Sequence, residues 1–504
     1  MRSRWPPRGA ALIAGALPLV AFPEPGLDPL AWVALVPVLL LLRASDTPGE
    51  AALRGWLAGV GFLAATQYWL APNLVYFFPF AIALLALLWT GWGVLARSLL
   101  RGATTPGRAA LAVVAIPAGW VLIETVRSWQ WLGGPWSLLG ATQWRRPSVL
   151  VLASLGGVWL IGFAVIAANV GIAILIMGRG AARPVGAAAL LVAVAAGPLW
   201  SATRPELPGT PVVPVALVQP GIGHEDLLTR QEVLTRGLGR PVRLAVWGES
   251  SVGDDLTARP DVLDRLTALS DSIGAELLVN VDARADGGAI AKASTLIGRN
   301  GVEAEYRKTR LVPFGEYVPF RDQLGWLTRV TEAAGQNRQA GDRLVVMSVD
   351  GLAIGPLISF ELTFPDLARV QASNGAALLL YQTSTATFQG SWAPAQLASF
   401  GALRAAEAGR PVAVAALTGV SAAFDARGNR LAWMPAADSG ALIVDVPTAG
   451  EDTVYARVGS WVPVVCGVIV ASIVAVAVGR AARAASASSR RAEAIGQSAG
   501  DGSK

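Results

Sequence analysis

"LISFELTF", residues 357–364, sets one serine and one glutamate into an otherwise apolar run. Its bulky apolar residues predict the end of a buried β-strand. A buried strand excludes a carboxylate unless something pairs with it. Glu361 is therefore either an oddity at the edge of a core or part of the rim of an active site, with Ser359 two residues before it. The surrounding sequence has to decide between the two.

Ten short β-like runs lie within residues 211–455, among them "PVVPVALVQP", "VRLAVWGES", "AELLVNVDA", "GLAIGPLISF", "AALLLYQTS", "SAAFDARGNRL" and "GALIVDVP". Helical patterns over 257–273 and 392–409 separate some of them. Strands alternating with helices predict an α/β domain of about 245 residues with a covered sheet. No internal repeat is visible in the sequence.

The rest of the 504-residue chain is of another kind. The whole is 53% hydrophobic and 15% charged, where soluble domains carry about 25% charged residues. Mean hydropathy is +0.49. Both values predict a membrane protein with some soluble mass. Eighteen tryptophans, many beside apolar runs, suit anchors at a membrane interface. Apolar segments fall at 9–22, 28–42, 55–71, 76–96, 109–124, 148–177, 186–200 and 459–479. A span needs about 20 residues, so eight spans are expected. The first lacks a small-residue cleavage site and is expected to be a retained helix.

Arginines alternate with the loops. Arg2, Arg4 and Arg8 precede the first span, Arg43 and Arg54 lie in the second loop, Arg97, Arg101 and Arg108 in the fourth, and Arg179 and Arg183 in the sixth. Arg480, Arg483, Arg490 and Arg491 follow the last span, and the first and third loops have none. The alternation predicts cytoplasmic termini and an α/β domain outside the membrane. The fifth loop breaks the pattern with Arg127, Arg145 and Arg146 around "WQWLGGPWSLLGATQW", expected to dip into the outer interface. The expected domains are a membrane unit at 1–205, the extracytoplasmic domain at 211–455, a last span at 456–480 and a disordered basic tail at 481–504. The net charge of +6 is explained by orientation in the membrane and a tail contacting anionic lipid, not by nucleic acid. One cysteine, Cys466, excludes an intrachain disulfide, and one histidine, His224, leaves no His-based triad or zinc site. No Gly-rich phosphate loop opens a helix. Neither metal nor cofactor is expected.

Four strings in the α/β domain carry chemistry: "VWGESS" with Glu249, "YRKTRLVPFGEYVPF" (306–320) with Lys308 and Glu316, "PLISFELTF" with Ser359, Phe360 and Glu361, and the polar "YQTSTATFQGSW" (381–392). An acid at one strand end, a lysine in a loop and a small nucleophile at another strand end make an acyl-transfer site. The acid takes the proton, the lysine stabilises the oxyanion and the nucleophile holds the acyl group. Singly, each has a plainer reading: an acid at a helix N-terminus, a solvated lysine, a turn acid, a satisfied core hydroxyl. Their order carries the case.

That order, with "LVPFGEYVP" its most specific piece, resembles the nitrilase superfamily. With eight spans around the domain, the chain resembles the apolipoprotein N-acyltransferase family. "LPLVAFPEPGLDPLAWVALVPVLLLL", "GGPWSLLGATQ" and "VALVQPGI" extend the likeness over nearly all of the chain except the tail. The resemblance implies a nitrilase-like αββα sandwich outside a bacterial plasma membrane. It implies transfer of an acyl chain from a membrane phospholipid, through a covalent enzyme intermediate, to the α-amino group of the S-diacylglyceryl cysteine at a lipoprotein N-terminus. Glu249 matches the general base, Lys308 the oxyanion-stabilising lysine and Glu316 the second acid. Phe360 and Glu361 match the aromatic and acid after the nucleophile, and Ser359 stands where the family has cysteine. "TSTATFQ" lacks the family's Asn-Asp-aromatic string, and His224 and Glu225 replace an early aromatic. A hydroxyl is far less acidic than a thiol, and serine nucleophiles usually have a histidine or lysine base. Lys308 is the alternative base if burial lowers its pKa. Two other functions compete: a pseudoenzyme that binds lipid and lipoprotein to assist another enzyme, and an amidase on a membrane scaffold.

Overall fold

The strands of the α/β half, in chain order, are β1 Val212–Gln219, β2 Leu244–Trp247, β3 Glu276–Arg284, β4 Ile290–Gly298, β5 Gly301–Arg307, β6 Met347–Val349, β7 Leu352–Ile358, β8 Leu378–Thr383, β9 Val412–Ala416, β10 Ser421–Phe424, β11 Arg430–Met434 and β12 Gly440–Pro447. They form two six-stranded sheets, ordered β12-β1-β2-β3-β4-β5 and β11-β10-β9-β8-β7-β6. The computed structural model describes residues 5–501 apart from 102–104, 206, 208, 210, 222–225, 285–287 and 330–334. Arg2, Arg4, His224 and Glu225 lie outside the described residues.

The two sheets share one plan. In each, three adjacent strands run parallel (β1-β2-β3 and β7-β8-β9), with antiparallel strands on either side. Helices Leu227–Arg236 and Pro260–Ile273 make the crossovers of the first sheet, and Pro365–Ser373 and Ala393–Ala408 those of the second. The sequence shows no repeat because the repeat lies in the topology, not in matching residues. β2, β8 and β9 are buried along their whole length, as parallel strands covered on both faces must be. The sheets pack face to face. Gln219 and Gln382 cross between them: Gln382 donates to the Trp247 and Leu278 carbonyls at 2.9 and 3.0 Å, and Gln219 to those of Pro435 and Asp438 at 2.8 Å each.

The outer helices differ by what covers them. Pro260–Ile273 buries only a stripe, with Val262, Leu266 and Leu269 at helical spacing. Ala393–Ala408 is buried at every residue, because its far side packs on the membrane helix Ala153–Met177. Trp69 against Phe388 (4.9 Å), Tyr68 against Trp392 (5.3 Å) and Trp136 against Phe400 (6.0 Å) extend that junction.

Among the described residues, five helical segments are long and apolar enough to cross a membrane: Tyr68–Leu100, Pro106–Arg127, Ala153–Met177, Ala182–Ala202 and Trp461–Arg480. The apolar segments expected at 9–22 and 28–42 are short helical pieces, Trp5–Ala16, Leu17–Ala21, Asp28–Trp32 and Val36–Arg43. Prolines 18, 23, 25, 29 and 37 interrupt the backbone hydrogen bonding there. The segment at 55–71 corresponds to Pro48–Thr66, whose first turns carry Glu50 and Arg54 in an ion pair of 2.9 Å. The last helix continues from Trp461 to Asp501, so the Ala/Ser/Arg-rich stretch is helical where composition suggested disorder; Ala and Arg are strong helix formers. The arginines that broke the loop alternation have protein partners. Arg127 is buried and donates to the Ser137 carbonyl at 3.3 Å, Arg146 pairs with Asp28, and Arg145 stacks on the Trp144 ring at 4.7 Å.

Candidate active site

Glu249 follows the C-terminal end of β2 and Ser359 that of β7. These are ends of parallel strands, where open α/β sheets collect their ligand groups. Gly248 makes the approach possible: a Cβ there would stand 1.9 Å from the Leu417 nitrogen. The Glu249 N–H then donates to the Thr383 carbonyl at 3.1 Å, fixing Glu249 against the second sheet. Ser359 takes φ +49°, a left-handed conformation that a non-glycine residue adopts only where its surroundings impose it. The turn Ser359–Thr363 begins there, directly after β7.

The Lys308 ammonium is fully buried between two carboxylates, 3.1 Å from Glu249 Oε1 and 2.9 Å from Glu316 Oε1. Burial would lower its pKa, but Glu249 and Glu316 outweigh burial and hold it well above the ordinary lysine value. These surroundings favour the ammonium form of Lys308 and speak against the alternative in which it acts as base. Glu316 also accepts from the Val312 N–H at 2.8 Å, which closes the "LVPFGEYVP" turn around the lysine. For Glu249, burial pushes the carboxyl up, but Lys292 and Lys308, with the Ser359 side chain beside it, hold it at about 2. Glu249 is held as a carboxylate, with the Ser359 side chain beside it.

Glu361 answers the question raised by "LISFELTF". Its Oε1 accepts from Tyr306 Oη at 2.7 Å, Thr309 N and Oγ1 at 2.8 Å each, and Arg310 N at 3.0 Å. Its Oε2 accepts from Ile358 N at 2.7 Å. One carboxylate therefore binds the loop after Lys308 to the strand end before Ser359. Phe360 turns the other way. It meets Phe364 edge to face at 4.9 Å and lies over Gly134 of the membrane half, where a Cβ would stand 2.7 Å from its ring.

The structure thus brings Glu249, Lys308, Glu316 and Ser359 together, with Glu361 behind them and Phe360 at the junction with the membrane half. Sequence reasoning missed Lys292. Its ammonium is buried on β4, 3.1 Å from Glu249 Oε1, and donates to Ser250 Oγ at 2.6 Å. A signal existed: of 41 basic residues only three are lysines, at 292, 308 and 504, and Lys292 interrupts the strand-like "IAKASTLIG". "TSTATFQ" supplies hydroxyls and backbone where the family has Asn-Asp. Thr385 donates through N and Oγ1 to the Thr418 carbonyl at 2.9 and 3.1 Å. Among the described residues no cluster suits a metal ion.

With this geometry in place, comparison with known proteins is informative. Residues 14–171 match the apolipoprotein N-acyltransferase N-terminal domain, and residues 215–454 the carbon-nitrogen hydrolase family. An apolipoprotein N-acyltransferase of Pseudomonas syringae pv. tomato is 30% identical, over 92% of this chain and 96% of its own. This chain belongs to the apolipoprotein N-acyltransferase family. Family members from Azotobacter vinelandii, 31% identical over 91% of this chain and 93% of theirs, and Geobacter metallireducens, 28% over 92% and 94%, agree. A nitrilase-superfamily amidase from Nesterenkonia AN1 aligns with 50% of this chain and 96% of its own at 21% identity and a TM-score of 0.38, and that likeness decides nothing further. Family membership and the apolar helices make this a bacterial membrane protein.

Proposed function

We propose that this chain is an N-acyltransferase that moves an acyl chain from a membrane phospholipid to the α-amino group of an S-diacylglyceryl cysteine at a lipoprotein N-terminus. Ser359 is the nucleophile, Glu249 the general base and acid, and Lys308 the oxyanion stabiliser, with Glu316 holding Lys308 and Glu361 holding both strand ends. The observation that carries this reading is the buried Lys308 ammonium held between Glu249 and Glu316 at 3.1 and 2.9 Å, with Ser359 beside Glu249.

In the first half-reaction Ser359 Oγ bonds to the donor ester carbon while its proton passes to Glu249. The oxyanion forms beside Lys308. Collapse breaks the ester C–O bond, and Glu249 returns the proton to the departing lysophospholipid oxygen. In the second, the cysteine α-amine attacks the acyl-serine ester, its proton goes to Glu249, and collapse restores the Ser359 hydroxyl and leaves an amide. Nothing is oxidised and no metal or cofactor is used. The complete Glu-Lys-Glu set favours this over a pseudoenzyme, and family membership along the whole chain favours it over an amidase.

The membrane arrangement in this proposal has about eight spans, seven within 1–205 and one at 456–480. Residues 211–455 lie outside, and both termini are cytoplasmic with the basic segment 481–504. An impermeant maleimide applied to intact cells should then label a cysteine at Ser272 and not one at Ser488; the opposite pattern would refute the orientation. Chemistry is tested with purified protein in detergent, a labelled phospholipid and a diacylglyceryl-cysteine peptide, comparing wild type, Ser359→Cys and Ser359→Ala. Wild type should acylate the peptide and retain label as an ester, and Ser359→Ala should lose at least about 1,000-fold. Turnover by Ser359→Cys with a silent wild type would instead establish the pseudoenzyme.

A further inference from the structure

Lys292 takes no part in those steps, yet its ammonium is buried against the base that does. It stands 3.1 Å from Glu249 Oε1, as does Lys308. Both lysines meet the same carboxylate oxygen. Lys292 also donates to Ser250 Oγ at 2.6 Å and lies 3.7 Å from Asp282, which faces Arg338 at 3.7 Å. Ser250 is held left-handed at φ +60°, its N–H donating to Asn280 Oδ1 at 2.8 Å. The turn carrying Glu249 is therefore fixed from β4 as well as from β3.

The charge balance points the same way. Lys308 alone would face Glu249 and Glu316 with one cation for two anions; Lys292 makes that group neutral. A thiol ionises near pH 8.5. A serine hydroxyl needs more help to shed its proton, and a fixed cation in a buried site is the direct way to favour negative charge developing on its oxygen.

We propose that Lys292 is a positioning residue matched to the serine nucleophile: it pins Glu249 by Oε1 and supplies the positive charge that an oxygen nucleophile requires. This rests on Ser359 being the acylated residue, so the test has two independent readouts. The first is peptide N-acylation by Lys292→Met and Lys292→Gln, each with Ser359 and with Ser359→Cys. Loss should be at least about tenfold greater in the serine background, because a cysteine thiol ionises more readily. The second needs no acyl donor. Iodoacetamide alkylation of Ser359→Cys, in a Cys466→Ala chain, is followed against pH. Removing the Lys292 charge should raise the apparent thiol pKa by about 1 unit. Lys308, Glu249 and Glu316 remain in every variant, and Lys292→Gln keeps a donor for Ser250 if Lys292→Met is poorly folded. Equal losses in both backgrounds with no thiol shift would overturn the proposal and leave Lys292 a structural cation. A thiol shift with a wild type that never acylates would support the electrostatic role while refuting the acyl transfer.

Discussion

The α/β half contains two groups of buried charges with the same ingredients and opposite outcomes. Around Glu249, two lysines meet one carboxylate oxygen, and the carboxyl is held at about 2 despite its burial. In the helix Ala393–Ala408, Arg404 meets Glu407 at 2.8 Å, both buried, and there burial wins: the Glu407 carboxyl is pushed up, with Arg404 opposing. The difference lies in the number of cations per carboxylate. The second pair is tied to its surroundings by single bonds, Arg404 to the Thr363 carbonyl at 2.6 Å and Glu407 to the Val158 N–H at 2.8 Å. One group keeps an anion ready beside a hydroxyl. The other clasps the Ser359 turn to a membrane helix.

Glu249→Gln attacks the first group and should have the largest effect. It removes the proposed base and leaves two buried ammonium groups short of a partner. Acylation should fall at least about 1,000-fold, and stability by about 3–5 kcal/mol as a buried pair is broken. The assay is peptide acylation together with thermal unfolding in detergent. Retained acylation would remove Glu249 from the mechanism. Arg404→Met attacks the clasp. It should cost less, about 2–3 kcal/mol, because the surroundings of Glu407 already favour its protonated form while those of Glu249 favour the carboxylate. Adding Glu407→Leu should recover much of that loss, since a buried pair replaced by apolar groups is often neutral. Unfolding of the single and double variants checks this, and a double variant worse than the single would erase the contrast between the two groups.

Glu361→Gln probes the link between them. An amide nitrogen replaces one of two oxygens that together accept five bonds, so at least one buried N–H loses its acceptor, at about 1–3 kcal/mol. The Lys308 loop and the Ser359 turn then lose their common anchor. The expected result is a kcat lowered about 10- to 100-fold with KM little changed. A change in KM alone would place Glu361 in substrate binding instead.

Much of this was legible in the sequence, and the reasons differ by residue. "GALIVDVP" is β12 to the residue, and the helical patterns at 257–273 and 392–409 appear as Pro260–Ile273 and Ala393–Ala408. "SAAFDARGNRL" is less simple: it divides into β10 and β11, because Asp425 accepts from the Arg427 and Asn429 N–H groups and turns the chain. Glu249, Lys308 and Ser359 could be picked out because each ends a strand or enters a Pro/Gly loop, where side chains converge. Lys292 was harder: its rarity among the basic residues was a signal, but a lysine inside a strand reads as an outward residue until the partner sheet is known to lie over it. The purpose of Glu361 was equally hidden. Four of its bonds go to residues 306–310, more than fifty positions away in the chain.

The smallest expected effect concerns pH. Glu249 lies at about 2 in the folded protein, against an ordinary value of 4.5. A carboxyl depressed by folding binds protons more weakly folded than unfolded, so its stabilisation is present above the ordinary value and disappears as pH falls through the range from 4.5 to about 2. Glu407 has the opposite sign. Its raised pKa means that the folded state holds the proton more tightly, so its contribution is full below the ordinary value and declines as pH rises through the folded one. Lys308, held well above the ordinary lysine value, stays protonated throughout. The acid limb of kcat/KM, which reports the base in the free enzyme, should therefore be missing between about pH 5 and 8. A limb in that range would mean that Glu249 binds a proton far more readily than two lysines on one oxygen allow. If the limb appeared in Lys292→Met but not in wild type, the number of cations per carboxylate would be established as what separates the two groups.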